Sequence, residues 1–253
     1  MIDGKSVLCL IPARGGSKGI PRKNVRFLKG KPLLGYSIEN ALNSKYIDVV
    51  FVSTDDDEIA YYARQCGARV LNRPSQLASD DVTLEPVIAH GVKEVEAMLS
   101  RSFKIIITLQ PTSPTLKVSS IDKAMETFSN ERHDSLLSAA PDTHLAWGIS
   151  KGKYTPLYEK RVNRQQLPPR FKETGGFVIC DIAVLASGSR FGQKIAVFPL
   201  TSEESIDIDT QTDWASASHI LGKKQILINL IGKRSTGLGH IYRGLILADE
   251  LVD

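Results

Sequence analysis

Short apolar runs alternate along this chain with longer stretches whose apolar residues recur every three or four positions, the pattern of buried strands interleaved with amphipathic helices. Val7 to Ile11, Val49 to Ser53, Arg69 to Leu71 and Lys104 to Leu109 read as strands of that kind. Pro32 to Asn43 predicts a helix, with Pro32 tolerated in its first turn and Leu33, Leu34, Ile38, Ala41 and Leu42 on one face. A second helix should follow Ser53, capped by Thr54, with Asp55, Asp56, Asp57 and Glu58 favoured near its positive end. Leu84 to Leu99 and Ser119 to Phe128 predict further helices, and Ser135 to Ala140, Gly176 to Cys180 and Ile195 to Pro199 further strands. Gln211 to Leu221 reads as the closing helix. Strand and helix in turn imply an α/β domain, doubly wound in three layers.

Two stretches break the alternation. Residues 142 to 171 are polar, contain Pro and Gly, and lack a period, which is too long for an ordinary connection and predicts an arm. From residue 223 the pattern begins again, with an apolar strand at Ile226 to Ile231, then Gly237-Leu238-Gly239-His240-Ile241 and Arg243, and a helix through Leu251. The organisation expected is therefore a main domain over 1–222 and the opening of a second βα unit over 223–253.

The densest chemistry follows the first strand. Ile11-Pro12-Ala13-Arg14-Gly15-Gly16-Ser17-Lys18-Gly19-Ile20-Pro21-Arg22-Lys23-Asn24 puts three glycines and four cations into one loop. Glycine lets backbone amides approach an anion closely, and those amides with Lys and Arg neutralise several phosphate oxygens together. The loop fits neither Gly-x-x-x-x-Gly-Lys-Ser/Thr nor Gly-x-Gly-x-x-Gly. A solvated basic loop is the plainer reading, but Lys5 to Lys31 carries eight cations with no acid within the stretch to offset them. Gln110-Pro111-Thr112-Ser113-Pro114 makes a rigid polar loop at another strand's C-terminal end, where ligands of open α/β sheets gather. In Ser205-Ile206-Asp207-Ile208-Asp209-Thr210 the alternation sets both carboxylates on one face. Asp207 and Asp209 are thus candidate ligands for a hard cation, against the alternative of an edge strand's solvent face.

Composition narrows the partners. The 253 residues are 42% hydrophobic and 24% charged, as in ordinary globular enzymes, and the net charge of +4 gathers near the glycine loop, favouring small anions over a nucleic-acid surface. No apolar run approaches a membrane span of roughly 18 residues and no signal-peptide pattern opens the chain, so a cytoplasmic location is expected. Cys9, Cys66 and Cys180 are odd in number and widely spaced, which suits buried apolar roles better than a disulfide or zinc framework.

The glycine loop closely resembles the signature of the cytidylyltransferases that activate sialic acid and related nine-carbon ulosonic acids, I-P-A-R-x-G-S-K-G-I-x-x-K-N, and matches every fixed position. The resemblance implies a nucleotidyltransferase (Rossmann-like) fold with a protruding dimerisation arm, and transfer of CMP from CTP to the sugar acid's anomeric hydroxyl with release of pyrophosphate. By resemblance Arg14, Lys18 and Lys23 oppose the triphosphate charge; Ala13, Gly15, Ser17 and Asn24 bind substrate; Arg73 faces the cytosine; Gln110, Thr112 and Ser113 lie near sugar and nucleotide. Arg164 and Gln165 belong to an arm element like Arg-Gln-Asp-x-Pro, reaching over a second subunit of a homodimer. Thr174-Gly175-Gly176 stands where the family has Asn-Gly-Ala, a departure that bears on which sugar is read. The Ser-x-Asp-x-Asp-Thr element implies that Asp207 and Asp209 bind Mg²⁺ or Mn²⁺. Alternatives left open are a 3-deoxy-octulosonate-type cytidylyltransferase, a metal-dependent glycosyltransferase and a non-catalytic sugar-nucleotide-binding protein. The segment from residue 223 resembles the start of the nucleotide-sugar hydrolases of ulosonic-acid biosynthesis, implying a truncated second Rossmann-like domain.

Overall fold

A computed structural model of the chain describes residues 1–17, 19–223, 228 and 239–250. They divide into two compact units, Met1–Leu221 and Gly222–Asp253. In chain order the first unit runs β1 (Val7–Pro12), β2 (Phe27–Leu28), β3 (Lys31–Pro32), α1 (Leu33–Asn43), β4 (Val49–Thr54), α2 (Asp57–Gln65) and β5 (Arg69–Asn72). Then come α3 (Leu84–Leu99), β6 (Ile105–Leu109), α4 (Val118–Asn130), β7 (Ser135–Pro141), β8 (Trp147–Ser150) and β9 (Lys153–Pro156). The last elements are β10 (Phe171–Asp181), α5 (Ile182–Ala186), β11 (Ile195–Pro199) and α6 (Gln211–Gly222).

Seven strands form one sheet in the order β11-β7-β10-β6-β1-β4-β5. β1 pairs in parallel with β4 and β6, β4 with β5, and β7 with β11. β10 runs antiparallel to both of its neighbours, so the sheet is mixed. Because side chains alternate across a strand, β1 sends Val7, Cys9 and Ile11 to one face and Leu8 and Leu10 to the other. The first set packs with Leu34 and Ile38 of α1, Ile59 of α2 and Ile121 and Phe128 of α4. The second packs with Ile88, Val92 and Val95 of α3 and Leu185 of α5. Helices thus cover both faces of the sheet, giving the three layers.

Several local expectations are corrected. The cap of α2 is Asp56, whose carboxylate accepts the Ile59 N–H at 3.0 Å; Thr54 ends β4, and its hydroxyl accepts the Asp56 N–H instead. Within 142–171, where the sequence showed no period, β8 and β9 pair as a hairpin across Lys151 and Gly152, both at positive φ. Such a two-residue turn matches strand twist, and glycine enters it without steric cost. Ser205 to Thr210 forms no strand; Ile208 is buried with Ile20, Leu28, Leu33 and Ala217, which anchors the segment while its flanking aspartates stay outside. The strand expected at Ile226 to Ile231 lies outside the described residues save for residue 228. Gly239–Glu250 forms a helix, α7. Among the described residues no helix is long and apolar enough to cross a membrane.

Candidate active site

The glycine loop leaves β1 at its C-terminal end. Its first residue, Ala13, is buried, and its N–H donates to the Ser53 carbonyl at the end of β4. Asn24, also buried, closes the loop by donating from Nδ2 to the Arg14 carbonyl at 3.0 Å. A short 3₁₀ turn, Lys23–Val25, aims Lys23 inward, where its side chain is largely buried. Its ammonium donates to the Ile208 carbonyl and to Asp209 Oδ1 at 2.9 Å.

Those contacts tie the loop to the aspartate segment, and two more secure it. The Ile208 N–H donates to the Thr112 carbonyl at 2.8 Å, so the loop after β6 holds the residue between the two aspartates. Gly19 packs on the Asp209 carbonyl so closely that a Cβ there would lie 2.4 Å from the oxygen. Asp213 then accepts from the N–H groups of Asp209 and Thr210, fixing the entry to α6. Gly175 allows the Asp207 carboxylate to sit against the backbone, where a Cβ would be 2.9 Å from either oxygen.

A cavity of about 370 Å³ opens between these pieces at the C-terminal ends of β1, β5 and β6. Its walls include Arg14, Ser17, Lys23 and Asn24 of the glycine loop, Arg73, Gln110 and Thr112 of two other loops, and both Asp207 and Asp209. Arg73 is buried; its Nε donates to Ser53 Oγ and its Nη2 to the Ser53 carbonyl at 2.6 Å. Burial lowers its pKa to about 10, with Arg14 nearby adding to the effect and Asp55 opposing it. Arg14 is held at the rim by Asp80, 2.6 Å away. Two carboxylates and three cations therefore face one polar chamber.

The remaining sequence-predicted residues are placed elsewhere. Ala13 and Gly15 support the loop without lining the cavity, and Ser113 is buried beside it, its hydroxyl without a partner. Arg164 and Gln165 lie exposed on a 3₁₀ turn of the 142–171 segment, where Arg164 donates to the Thr143 carbonyl. Lys18 lies outside the described residues. The expectation of a basic region without acids fails in three dimensions: Asp80, Asp56 with Glu58, Asp209 and Glu39 pair with Arg14, Arg22, Lys23 and Lys31. Most of these carboxylates come from distant sequence, so no local pattern announced them. Thr112 and Ser53 were likewise silent as backbone supports.

A cation fits here on chemical grounds. Asp207 and Asp209 share the cavity wall, and the Asp209 side chain, paired through Oδ1 with Lys23, is 75% exposed and open to the chamber. Among the described residues no group of three or more His, Cys, Asp or Glu forms a closed metal cage. Two carboxylates suit a hard cation that completes its shell with phosphate oxygens and waters. A larger cavity, about 670 Å³, opens around Lys5, Phe128 and Asp134. There Asp134 is already engaged by the Gln193 and Lys194 N–H groups, a structural role.

The chain is 33% identical over 222 residues to an N-acylneuraminate cytidylyltransferase of Oncorhynchus mykiss, covering 85% of this chain and 50% of that protein. It is 32% identical over 213 residues to a pseudaminic acid cytidylyltransferase of Campylobacter jejuni, covering 81% of this chain and 92% of that one. The chain thus spans about half the length of the N-acylneuraminate enzymes it matches and most of the bacterial one. A CMP:2-keto-3-deoxy-manno-octonic acid synthetase solved with CTP shares the fold at a TM-score of 0.64 and 16% identity, over 85% of this chain and 98% of that one. The cytidylyltransferase family profile matches residues 8–166, and with that match and the pseudaminic acid relative the chain belongs to the cytidylyltransferase family.

Proposed function

We propose that this protein transfers CMP from CTP to the anomeric hydroxyl of a sialic-acid-like nonulosonic acid, releasing pyrophosphate. The observation that carries this reading is the single cavity wall shared by Arg14, Ser17, Lys23 and Asn24 of the glycine loop and by the carboxylates of Asp207 and Asp209. The names of the relatives support the substrate class.

In the reaction the anomeric oxygen forms a bond to the α-phosphorus as the bond to pyrophosphate breaks, and the hydroxyl proton is released. Negative charge grows on the phosphate oxygens and the leaving group. Arg14 at the rim and Lys23 in the wall oppose that charge, with Lys18 assigned beside them by its place in the loop, and Ser17 supplies a donor. Such groups accelerate the step because they are fixed before the charge appears. The Lys23–Ile208 and Lys23–Asp209 contacts provide that fixation. Ala13 and Gly15 set the loop's path, and Asn24 holds it closed. Arg73, buried on β5's exit, is assigned to the base; Gln110, Thr112 and Ser113 are assigned to sugar and nucleotide. Asp207 and Asp209 would hold Mg²⁺ or Mn²⁺, which when bound acts as Lewis acid and template and lowers the pKa of the hydroxyl it touches.

The 142–171 segment is assigned as the arm of a homodimer, carrying Arg164 and Gln165 toward a second subunit's sugar site. Its hairpin exposes Trp147, Ile149 and Tyr154, apolar area that a second copy would cover. The protein is assigned to the cytoplasm, where CTP is made.

A pyrophosphate-release assay with CTP against neuraminate, its deaminated analogue, legionaminate and pseudaminate tests the reading. Turnover with one of these acids, reduced on the order of 10²–10³-fold in Asp209→Asn at saturating Mg²⁺, is expected. No turnover with any acid, or an Asp209→Asn variant within tenfold of wild type, would refute it.

A further inference from the structure

Arg22 is one of the four cations of the glycine loop, yet it does not line the cavity that takes Arg14 and Lys23. Its guanidinium instead meets the first turn of α2. Both terminal nitrogens donate to Asp56, one to Oδ1 at 2.9 Å, and Nη2 also donates to Glu58. Arg22, Asp56 and Glu58 together carry one net negative charge, so the cluster as it stands does not attract a triphosphate. The backbone at Arg22 is left-handed, φ 55° and ψ 28°, a region that a residue with a Cβ enters at a cost and keeps only when its surroundings impose it.

The same helix start holds the other end of the loop. Asp55 Oδ1 accepts the Gly15 N–H at 3.1 Å. Asp56 lies so close that a Cβ at position 15 would stand 2.7 Å from its Oδ2. Asp56 is at once cap of α2, neighbour of Gly15 and partner of Arg22. The stretch from Gly15 to Arg22 is thereby fastened at both ends to one helix terminus.

We infer that Arg22 is a positioning residue: with Asp56 and Glu58 it clamps the loop to α2 and so sets the backbone amides of Gly15, Gly16, Ser17 and Gly19 for the triphosphate, without touching it. The inference rests on the cytidylyl reading for the identity of that ligand.

The test compares Arg22→Ala, Glu58→Gln and the double variant by KM for CTP, by kcat, and by amide hydrogen exchange across Gly15 to Gly19 without nucleotide. The clamp predicts a rise in KM for CTP of roughly tenfold in Arg22→Ala and a smaller rise in Glu58→Gln, with kcat within about twofold. The double variant should be no worse than Arg22→Ala alone, since the Glu58 contact is already lost with the guanidinium. Exchange should accelerate in every variant. If Arg22 were itself a triphosphate ligand, Glu58→Gln would free a cation and lower KM, and that opposite sign overturns the proposal. Unchanged exchange in Arg22→Ala overturns it too. Faster exchange in a protein that turns over no CTP would refute the cytidylyl reading while leaving the clamp in place.

Discussion

Gly19→Ala probes the junction on which the site depends, because Gly19 is where the glycine loop rests on the aspartate segment. The added Cβ would lie 2.4 Å from the Asp209 carbonyl oxygen, about 1 Å short of the 3.4 Å at which ordinary contact begins. That oxygen is backbone, so relief requires moving the loop or the segment. The segment is held by the Thr112 carbonyl, by Lys23 and by Asp213, and resists. Overpacking of this kind costs about 1–3 kcal/mol, which for a domain of this size lowers Tm by roughly 2–12 °C. On the proposed function, a displacement near 1 Å between the loop amides assigned to phosphate and the carboxylates assigned to the cation should cost on the order of 10²-fold in turnover. Gly16→Ala is the control for stability, since nothing lies within 4 Å of a Cβ there. Calorimetry and pyrophosphate release on the two variants give the answer. A Gly19→Ala protein with Tm unchanged within a degree and turnover within threefold of wild type would show that the loop and the segment are not in contact as described.

Two further outcomes follow from the electrostatics. The hydrogen bond from Arg22 holds the Asp56 carboxyl below its ordinary value of 3.8, so its contribution to stability is complete above about pH 5 and is lost as pH falls through the lowered folded value. Asp56→Asn keeps a capping side chain but not the charge; denaturant midpoints for the two proteins should differ by a constant amount above about pH 5 and converge in acid, and a gap that widens in acid would contradict this. Burial pushes the Cys180 thiol up to about 12 and Cys9 higher still, while Cys66 is only half-buried and raised less. A thiol reagent at pH 8 should therefore modify Cys66 in the native protein and all three only after denaturation; rapid native labelling of Cys9 or Cys180 would count against the core as described.

How far the sequence reached depended on whether a feature was written locally. Leu84–Leu99 and Ile195–Pro199 have the bounds that the apolar pattern assigned them, because a helical period and a short apolar run are legible in the residues themselves, even where, as in the edge strand β11, the run stays partly exposed. The direction of β10 was not. A strand buried between two neighbours reads as the same apolar run whichever way it points, and the reversal is revealed only by its antiparallel pairing with β6 and β7. The β8–β9 hairpin did leave a signal, Lys151-Gly152 between two short runs, which the polarity of the surrounding segment masked.

The site shows the same division more sharply. The motif residues of the glycine loop and the Asp-x-Asp segment stand about 190 positions apart, and they could be singled out as candidates because phosphate and metal ligation need particular residue types; the fold brings them to one cavity wall. What joins them is not chemistry of that kind. It is a Gly19 that must lack a Cβ, an Ile208 buried with Ile20, and a Thr112 carbonyl that any residue could have offered. Ile208 between Asp207 and Asp209 looked like strand alternation, but it is a small apolar anchor that turns both carboxylates to the cavity without a sheet. The eight cations of the N-terminal region likewise looked unopposed until folding brought Asp80, Asp56, Glu58 and Asp209 against them. A ligand arriving at Arg14 or Lys23 must therefore compete with a resident carboxylate, and binding there is an exchange of partners, not the filling of an empty positive field.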